Sequence, residues 1–316
     1  MVSNVNSIIT SGDLGGGLIP TEYATQIIQD APKSSVSLTR MRQIRMSTRT
    51  RTQPVLDSKP IAYWVGGDTG LKQTTKMKWS GLSITAEELA AIVPIPEAVI
   101  ADSGIPIWPE VMPRLTSALG YKLDQATLFG VDKPSSFPDG IIPQAITAHN
   151  TLTQGKDLAK DVASMGQKLA EQGFAMNGFA SKPGLNWELI GLCNTNGTPI
   201  YVPSLASGAP STLYGFGLNE VDNGAWDASK AVLLGADWSN FVVGIRQDIT
   251  YKLLDQSVIS DDNGKVILNL AQQDCVAMRV VFRVGFQIAN PINAVQPDKS
   301  KRFPAYVIAP PSAVAA

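Results

Sequence analysis

Few side chains in this 316-residue sequence have the types and spacings that catalysis requires. The single histidine, His149, lies in a polar stretch, and we expect it on the surface rather than acting as a base. The two cysteines, Cys193 and Cys275, are far apart and form neither a CxxC pair nor a Cys/His set. The sequence therefore predicts no metal site.

The paired carboxylates and glycine-rich stretches also lack the pattern of an active site. Glu87-Glu88 and Asp261-Asp262 are adjacent pairs, and adjacent side chains of a strand point to opposite faces. Gly15-Gly16-Gly17 is not followed by the Gly-Lys-Ser/Thr of a phosphate loop, and Gly215-Phe216-Gly217 lacks a third glycine. We predict no catalytic residue, no cofactor and no enzymatic activity; a hydrolase with an unrecognised site is a weak alternative.

The composition is typical of a globular protein with a sizeable core. Hydrophobic residues make up 44% of the chain and charged residues 17%, and the length favours about two domains. A net charge of -1 argues against nucleic-acid binding through bulk charge, although one face can still be locally basic. No signal peptide or membrane span is predicted, and two distant cysteines suit the reducing cytoplasm.

Residues 1–35 are predicted to form an extended arm. The segment is rich in serine, asparagine and threonine, and three glycines interrupt it. Its apolar side chains Leu18, Ile19 and Tyr23 favour burial against something else, such as another subunit. A disordered tail is the alternative.

Five arginines concentrate shortly after this arm, at Arg40, Arg42, Arg45, Arg49 and Arg51. Around the last two, arginine alternates with threonine, which places the arginines on one face of a strand. That face is either solvated or directed towards an ion-pairing partner in an assembly.

Residues 59–93 are predicted to form a long two-stranded excursion. The β-forming run Ile61–Val65 precedes a turn-rich stretch, Lys72, Lys76 and Lys78 surround Trp79, and a second β-like run returns to Val93. An isolated hairpin is only marginally stable in water. We therefore expect this excursion, including Trp64, to rest on another domain or another subunit.

Regular periodicity predicts two helices and one long strand. Apolar residues recur at helical spacing over 107–129, with Gly130 as a stop, and again over 156–173. Residues 276–288 alternate strictly and predict a strand with one fully apolar face. The mixture indicates an α+β protein.

Several stretches, taken in order, resemble the tailed-bacteriophage major capsid proteins of the Hong Kong 97 fold. They are Gly16-Gly17-Leu18-Ile19-Pro20, Ala62-Tyr63-Trp64-Val65-Gly66-Gly67, Ile92-Val93-Pro94-Ile95-Pro96-Glu97, Asp102-Ser103, Leu123-Asp124-Gln125-Ala126-Thr127-Leu128-Phe129-Gly130 and Pro138-Asp139-Gly140-Ile141. Their order and spacing are more specific than any one of them.

The resemblance implies a layout of four parts. They are an N-arm at 1–35, an extended loop at 58–92, a peripheral domain at 36–57, 93–142 and 236–285 with a long spine helix, and an axial domain at 143–235 and 286–316. It also implies a shell protein that forms pentamers and hexamers of itself around double-stranded DNA in a phage head assembled in the host cytoplasm.

Scaffolding, portal and decoration proteins are further partners that the resemblance implies, and no membrane is among them. Some members of the family join subunits by a Lys–Asn bond. Lys72, Lys76 and Lys78 lie in the right loop, but no acceptor asparagine can be assigned, so we predict no crosslink. An encapsulin-like compartment, which shares the fold, is the alternative function.

Overall fold

The computed structural model describes residues 35–66, 71–72, 74–191, 201, 211–261 and 263–311. The chain divides into two compact units. One unit contains Glu88–Gly120 and Gln247–Arg283, and the other contains Ser34–Glu87, Tyr121–Arg246 and Val284–Ala316. Leu18, Ile19, Tyr23 and Cys193 lie outside the described residues.

The described residues form six α-helices. They are α1 (Val36–Arg40), α2 (Glu97–Asp102), α3 (Ile107–Asp124), α4 (Ile141–Thr147), α5 (Leu158–Glu171) and α6 (Leu185–Ile190). The two helices predicted from periodicity are α3 and α5, and both are confirmed. Asp157 begins α5, because its carboxylate accepts hydrogen bonds from the backbone N–H groups of Ala159 and Lys160.

The end of the long helix differs in detail from the prediction. After Asp124 the backbone widens into a π-helical turn over Gln125–Phe129, and Gly130 follows in the left-handed conformation with φ 69°. Glycine adopts that conformation without steric cost, so the predicted stop at Gly130 is confirmed. Pro113 lies inside α3, where it removes one backbone donor.

The described strands form four sheets. The strands are β1 (Arg42–Arg45), β2 (Thr50–Ser58), β3 (Lys78–Thr85), β4 (Glu87–Pro96), β5 (Thr151–Thr153), β6 (Gly178–Ser181), β7 (Thr212–Leu213), β8 (Phe216–Glu220), β9 (Leu233–Ala236), β10 (Phe241–Leu254), β11 (Val258–Ser260), β12 (Val266–Asn269), β13 (Cys275–Ile288) and β14 (Ala305–Ala309). Their orders are β1-β10-β13-β4, β5-β14-β9-β6-β8-β7, β2-β3 and β11-β12.

The long alternating strand is β13, and its existence is confirmed. Its predicted apolar face, from Val276 to Ile288, is mostly buried, and most residues of the opposite face are buried as well. Strand β13 lies inside its sheet, between β10 and β4, so neither of its edges is free. Arg279 is the one residue of this strand that is exposed.

The predicted strand at Ile61–Val65 is also wrong. The hairpin is built instead from β2 and β3, which pair antiparallel from Thr50↔Thr85 to Leu56↔Trp79. The described residues between Lys59 and Met77 have no regular secondary structure. A β-forming run becomes a strand only where a partner strand pairs with it, and the partner of β3 is the preceding segment.

The six-stranded sheet carries an apolar core of the larger unit. Buried side chains of α5 and α6, including Met165, Leu169 and Leu185, are fully covered, as is Phe179 of β6. Met165, Leu185 and Phe179 belong to one apolar cluster with Leu158, Val162 and Leu233. The predicted α+β class is thus confirmed, with helices packed on mostly antiparallel and mixed sheets.

Candidate assembly surface

The loop that joins β2 to β3 exposes large apolar side chains. Trp64 is 103% exposed, Leu71 93% and Trp79 59%, and Ile61 and Tyr63 are exposed as well. Soluble proteins rarely leave so many large apolar groups together in water, and such patches mark interaction sites. We call the described residues 59–66, 71–72 and 74–77 the projecting loop.

Covering this loop would release much free energy. Removing one such side chain from water is worth about 2 kcal/mol, so several together can offset the cost of ordering a flexible loop. The loop contains Trp64, and Trp79 lies just beyond it at the start of β3. Both tryptophans predicted as contact residues are therefore available to a partner.

The three lysines predicted as contact residues, Lys72, Lys76 and Lys78, are all exposed. Lys78 forms an ion pair with Asp57, with Nζ 3.6 Å from Oδ2, where the ends of β2 and β3 meet. Lys72 and Lys76 belong to the projecting loop. An exposed ion pair at this distance contributes at most about 1 kcal/mol, so it fixes the hairpin only weakly.

The root of the hairpin is fixed by close packing. Ile84 of β3 is fully buried and packs with Met46, Ala86 and Val242. A Cβ atom on Gly244 would lie 2.9 Å from Ile84 Cγ2, and one on Gly285 would lie 2.6 Å from the carbonyl oxygen of Thr85. A methyl group at Gly285 would require the backbone of Thr85 to shift, and one at Gly244 would require both Ile84 and the Met46 side chain to shift, because the hairpin lies directly against these glycines.

One backbone hydrogen bond holds the hairpin further out. The N–H of Ile292 donates to the carbonyl oxygen of Leu56 in β2, at 3.1 Å. Beyond this point the described hairpin residues are mostly exposed. The projecting loop is therefore carried on a stem formed by β2 and β3. The rest of its unit packs against the end of the stem near Ile84 but leaves the end near Lys78 mostly exposed.

Four of the predicted basic-face residues, Arg42, Arg45, Arg49 and Arg51, are exposed, and two of them contact each other. Arg49 contacts Glu87, with Nη2 3.1 Å from Oε2, and Arg51 Nη1 donates to the carbonyl oxygen of Arg45 at 2.7 Å. Arg42 is exposed on β1, which pairs with β10. Part of the positive charge is thus already neutralised by Glu87.

Arg40 is placed differently from the other four arginines. Its Nε donates to Asn219 Oδ1 at 2.8 Å, and its Nη2 donates to the same oxygen. Its guanidinium covers Gly217, where any Cβ atom would clash with it. Burial lowers the pKa of Arg40. Its side chain therefore connects α1 to β8 through Asn219 and is not part of the exposed basic face.

A buried carboxylate that the sequence did not single out as a site holds the start of the described chain. Asp124 is fully buried, and its oxygens accept from Ser35 Oγ at 2.7 Å, Ser37 N at 2.9 Å and Val36 N at 3.1 Å. Asn223 Nδ2 donates to it at 2.6 Å. We call these five residues the Asp124 clamp.

The clamp fixes the point at which the N-terminal segment joins the folded chain. The carboxylate lies at the N-terminus of α1, whose unpaired N–H groups attract an anion. A further hydrogen bond of 2.7 Å joins Ser37 Oγ and Thr127 Oγ1. One feature of the sequence could have indicated the clamp: the carboxylate Asp124 lies among positions of the spine helix that are otherwise apolar and buried, such as Leu119, Leu123 and Leu128.

In the part of the chain that the structure describes, the titratable groups do not gather into a metal site. Among the described residues, no group of three His, Cys, Asp or Glu side chains could hold a metal ion. His149 is exposed, and burial raises the pKa of the Cys275 thiol, which disfavours the reactive thiolate. None of the helices formed by the described residues has both the length and the apolar character that a membrane crossing requires.

Comparison with known proteins agrees with this surface-based picture. Residues 15–298 match the phage capsid family. The chain is 24% identical over 278 residues to the major capsid protein of Staphylococcus phage 80alpha, covering 87% of this chain and 82% of that protein. It is 22% identical over 297 residues to the major capsid protein of Klebsiella oxytoca phage phiKO2, covering 89% and 68%.

Solved structures show the same relationship. A structure from Microbacterium phage Oxtober96 is 36% identical with a TM-score of 0.79, covering 96% of this chain and 100% of that one. One from Mycobacterium phage Cain is 30% identical with a TM-score of 0.80, covering 96% and 99%. These similarities do not favour the encapsulin alternative. The chain belongs to the phage capsid family, and its α+β fold is of the Hong Kong 97 type, as its sequence predicted.

Proposed function

We propose that this major capsid protein forms hexamers and pentamers of itself, which together build the icosahedral shell around the double-stranded DNA of a tailed phage. The observation that carries the proposal is the projecting loop, which leaves Trp64 and Leu71 almost fully exposed. A monomer gains nothing from such a loop, whereas a neighbouring copy can bury it. The function thus resides in contacts between subunits.

The four-part layout is part of the same proposal. Residues 58–92 act as the extended loop, 1–35 as the N-arm, and 105–130 as the spine helix of the peripheral domain. The stem β2–β3 carries the loop away from its packed root at Ile84, which gives it the reach that contact with a neighbour needs. In the N-arm, Leu18, Ile19 and Tyr23 supply apolar contacts to the same neighbour or to another one.

The exposed arginines of the stem and of β1 have a second role in this proposal. Arg42, Arg45, Arg49 and Arg51 form a locally basic face, which contacts either neighbouring subunits or the packaged DNA without reading its sequence. Glu87 neutralises part of that charge, so attraction to phosphate is moderate. Portal, scaffolding and decoration proteins complete the proposed set of partners.

Negative-stain electron microscopy of the purified protein tests assembly, and analysis of particles from infected cells tests DNA packaging. We expect closed particles of uniform size, and DNA-filled heads with a portal vertex in infected cells. Monomers alone under every condition would contradict the shell proposal. Particles filled with cargo protein in place of DNA would favour the encapsulin alternative.

A further inference from the structure

We propose that Asn263 is a site of spontaneous covalent modification, at which deamidation adds a negative charge to an exposed turn. Asn263 and Gly264 lie in the connection between β11 and β12, and both are exposed. Gly264 has no side chain to shield its backbone nitrogen, which is the atom that must attack. The site is independent of the assembly proposal.

The reaction needs no oxidant, reductant or enzyme. The backbone nitrogen of Gly264 attacks the side-chain carbonyl carbon of Asn263, and the side-chain amide leaves as ammonia. The resulting five-membered succinimide then takes up water at either of its two carbonyl carbons. One C–N bond breaks, giving aspartate or isoaspartate at position 263.

The turn leaves the attacked group free to move. Asp261 Oδ1 accepts the backbone N–H groups of Asn263 at 3.0 Å and of Lys265 at 2.8 Å. These bonds hold the backbone, but the side-chain amide of Asn263 makes no hydrogen bond to any other described residue. Its carbonyl carbon can therefore rotate towards the Gly264 nitrogen.

One bond has to open before the reaction can proceed. The N–H of Gly264 donates to the carbonyl oxygen of Asp261 at 3.0 Å, and Gly264 has φ 79°. Opening a single exposed turn at the end of a short hairpin costs far less than unfolding a unit. The reactive arrangement is thus populated while the rest of the protein stays folded.

In two other Asn-Gly sequences of the described chain, hydrogen bonds hold the asparagine side chain away from the geometry that cyclisation requires. The side chain of Asn177 donates from Nδ2 to Asp237 Oδ1 at 3.2 Å and accepts from Trp238 N at 2.9 Å. Its Gly178 is buried in β6, between β8 and β9. Both the carbonyl and the nucleophile are therefore fixed by the six-stranded sheet.

The second protected sequence belongs to the Asp124 clamp. Asn223 Nδ2 donates to Asp124 at 2.6 Å, and its Oδ1 accepts from Ala225 N at 3.0 Å. Rotating this side chain for cyclisation would break both bonds and leave a buried carboxylate short of a donor. Asn177 and Asn223 are thus matched internal controls for Asn263.

Peptide mapping by mass spectrometry tests the proposal on the intact protein after incubation in mildly alkaline buffer. We expect the peptide containing Asn263 to deamidate on the order of tenfold faster than those containing Asn177 and Asn223, because a site that must first open reacts in proportion to its open population. Incubation in denaturant should bring the three rates together.

The variant Asn263→Gln shows whether the mass gain arises at residue 263, since a glutamine side chain cyclises onto the next backbone nitrogen much more slowly. Its peptide should lose the rapid mass gain, while the other two sites keep their rates. Equal rates for the three sites in the folded protein would overturn the proposal. So would a mass gain in that peptide that persists in Asn263→Gln.

Discussion

Ser35 Oγ donates a hydrogen bond to Asp124 Oδ1 at 2.7 Å, although 89 residues separate the two along the chain. The bond joins the first described residue to the end of the spine helix. Because the preceding residues form the proposed N-arm, this contact sets the point from which the arm leaves the folded chain. A fully buried interaction between residues far apart in the chain thereby holds the residue that follows the proposed N-arm.

We expect Asp124→Ala to lower the free energy of unfolding by about 3 kcal/mol, since it leaves the buried donors of Ser35 and Ser37 and the half-buried amide of Asn223 without an acceptor. Denaturant unfolding measures this change. Asp102→Ala, at an exposed position at the end of α2, is the matched control and should change stability little. Equal stabilities of the two variants would contradict the role of the clamp.

The glycines beneath the hairpin provide a second prediction. Gly244→Ala and Gly285→Ala should each destabilise the protein by about 2 kcal/mol, because a methyl group at either position would overlap with Ile84 or with the backbone of Thr85. Thermal unfolding measures the loss. Gly66→Ala is the control, since nothing lies within 4 Å of a Cβ atom there. Wild-type stability in the first two variants would refute the close packing of the hairpin root.

The lysines of the hairpin provide a prediction about covalent chemistry. We expect particles boiled in denaturant to give a single band of monomer mass on a gel, because no acceptor asparagine can be assigned to Lys72, Lys76 or Lys78. A ladder of multiples of the chain would overturn this expectation. Replacing the three lysines one at a time would then identify the residue that forms the bond.

Neutralising the basic face should affect assembly or packaging more than folding. In the quadruple variant Arg42→Gln, Arg45→Gln, Arg49→Gln and Arg51→Gln, we expect reduced particle yield or DNA content, with helical content retained. Arg279→Gln, an exposed arginine of β13, serves as the single-charge control. Unchanged yield and DNA content in the quadruple variant would rule out both proposed roles of this face.

Some elements could be predicted from the sequence because local patterns determine them. Apolar spacing and Gly130 define the spine helix, and the alternation of Val280, Phe282 and Val284 defines β13. The π-helical turn could not be predicted, because it depends on how the end of the helix packs. There a Cβ atom on Gly140 would lie 2.8 Å from the carbonyl oxygen of Leu128.

Other features depend on partners that are distant in the chain. The run Ile61–Val65 has strong β propensity, yet no strand among the described residues pairs with it, and the hairpin is formed by β2 and β3 on either side of it. Strand β6 was not predicted because its partners β8 and β9 come from later parts of the chain. Asp124 could not be recognised as a clamp, since its donors lie near positions 35 and 223.

In the proposed shell, the projecting loop joins one subunit to another. The double variant Trp64→Ser with Leu71→Ser removes the two most exposed apolar side chains of the loop, and neither supports the fold from which the loop projects. Trp187→Ser, which removes an exposed tryptophan from α6, shows what losing any exposed tryptophan does.

Sedimentation velocity of these variants beside the wild-type protein measures assembly, and circular dichroism checks that each one is folded. We predict that the double variant sediments as folded, unassembled subunits under conditions in which the wild-type protein and Trp187→Ser form particles. Particles of normal size and yield from the double variant would contradict the claim.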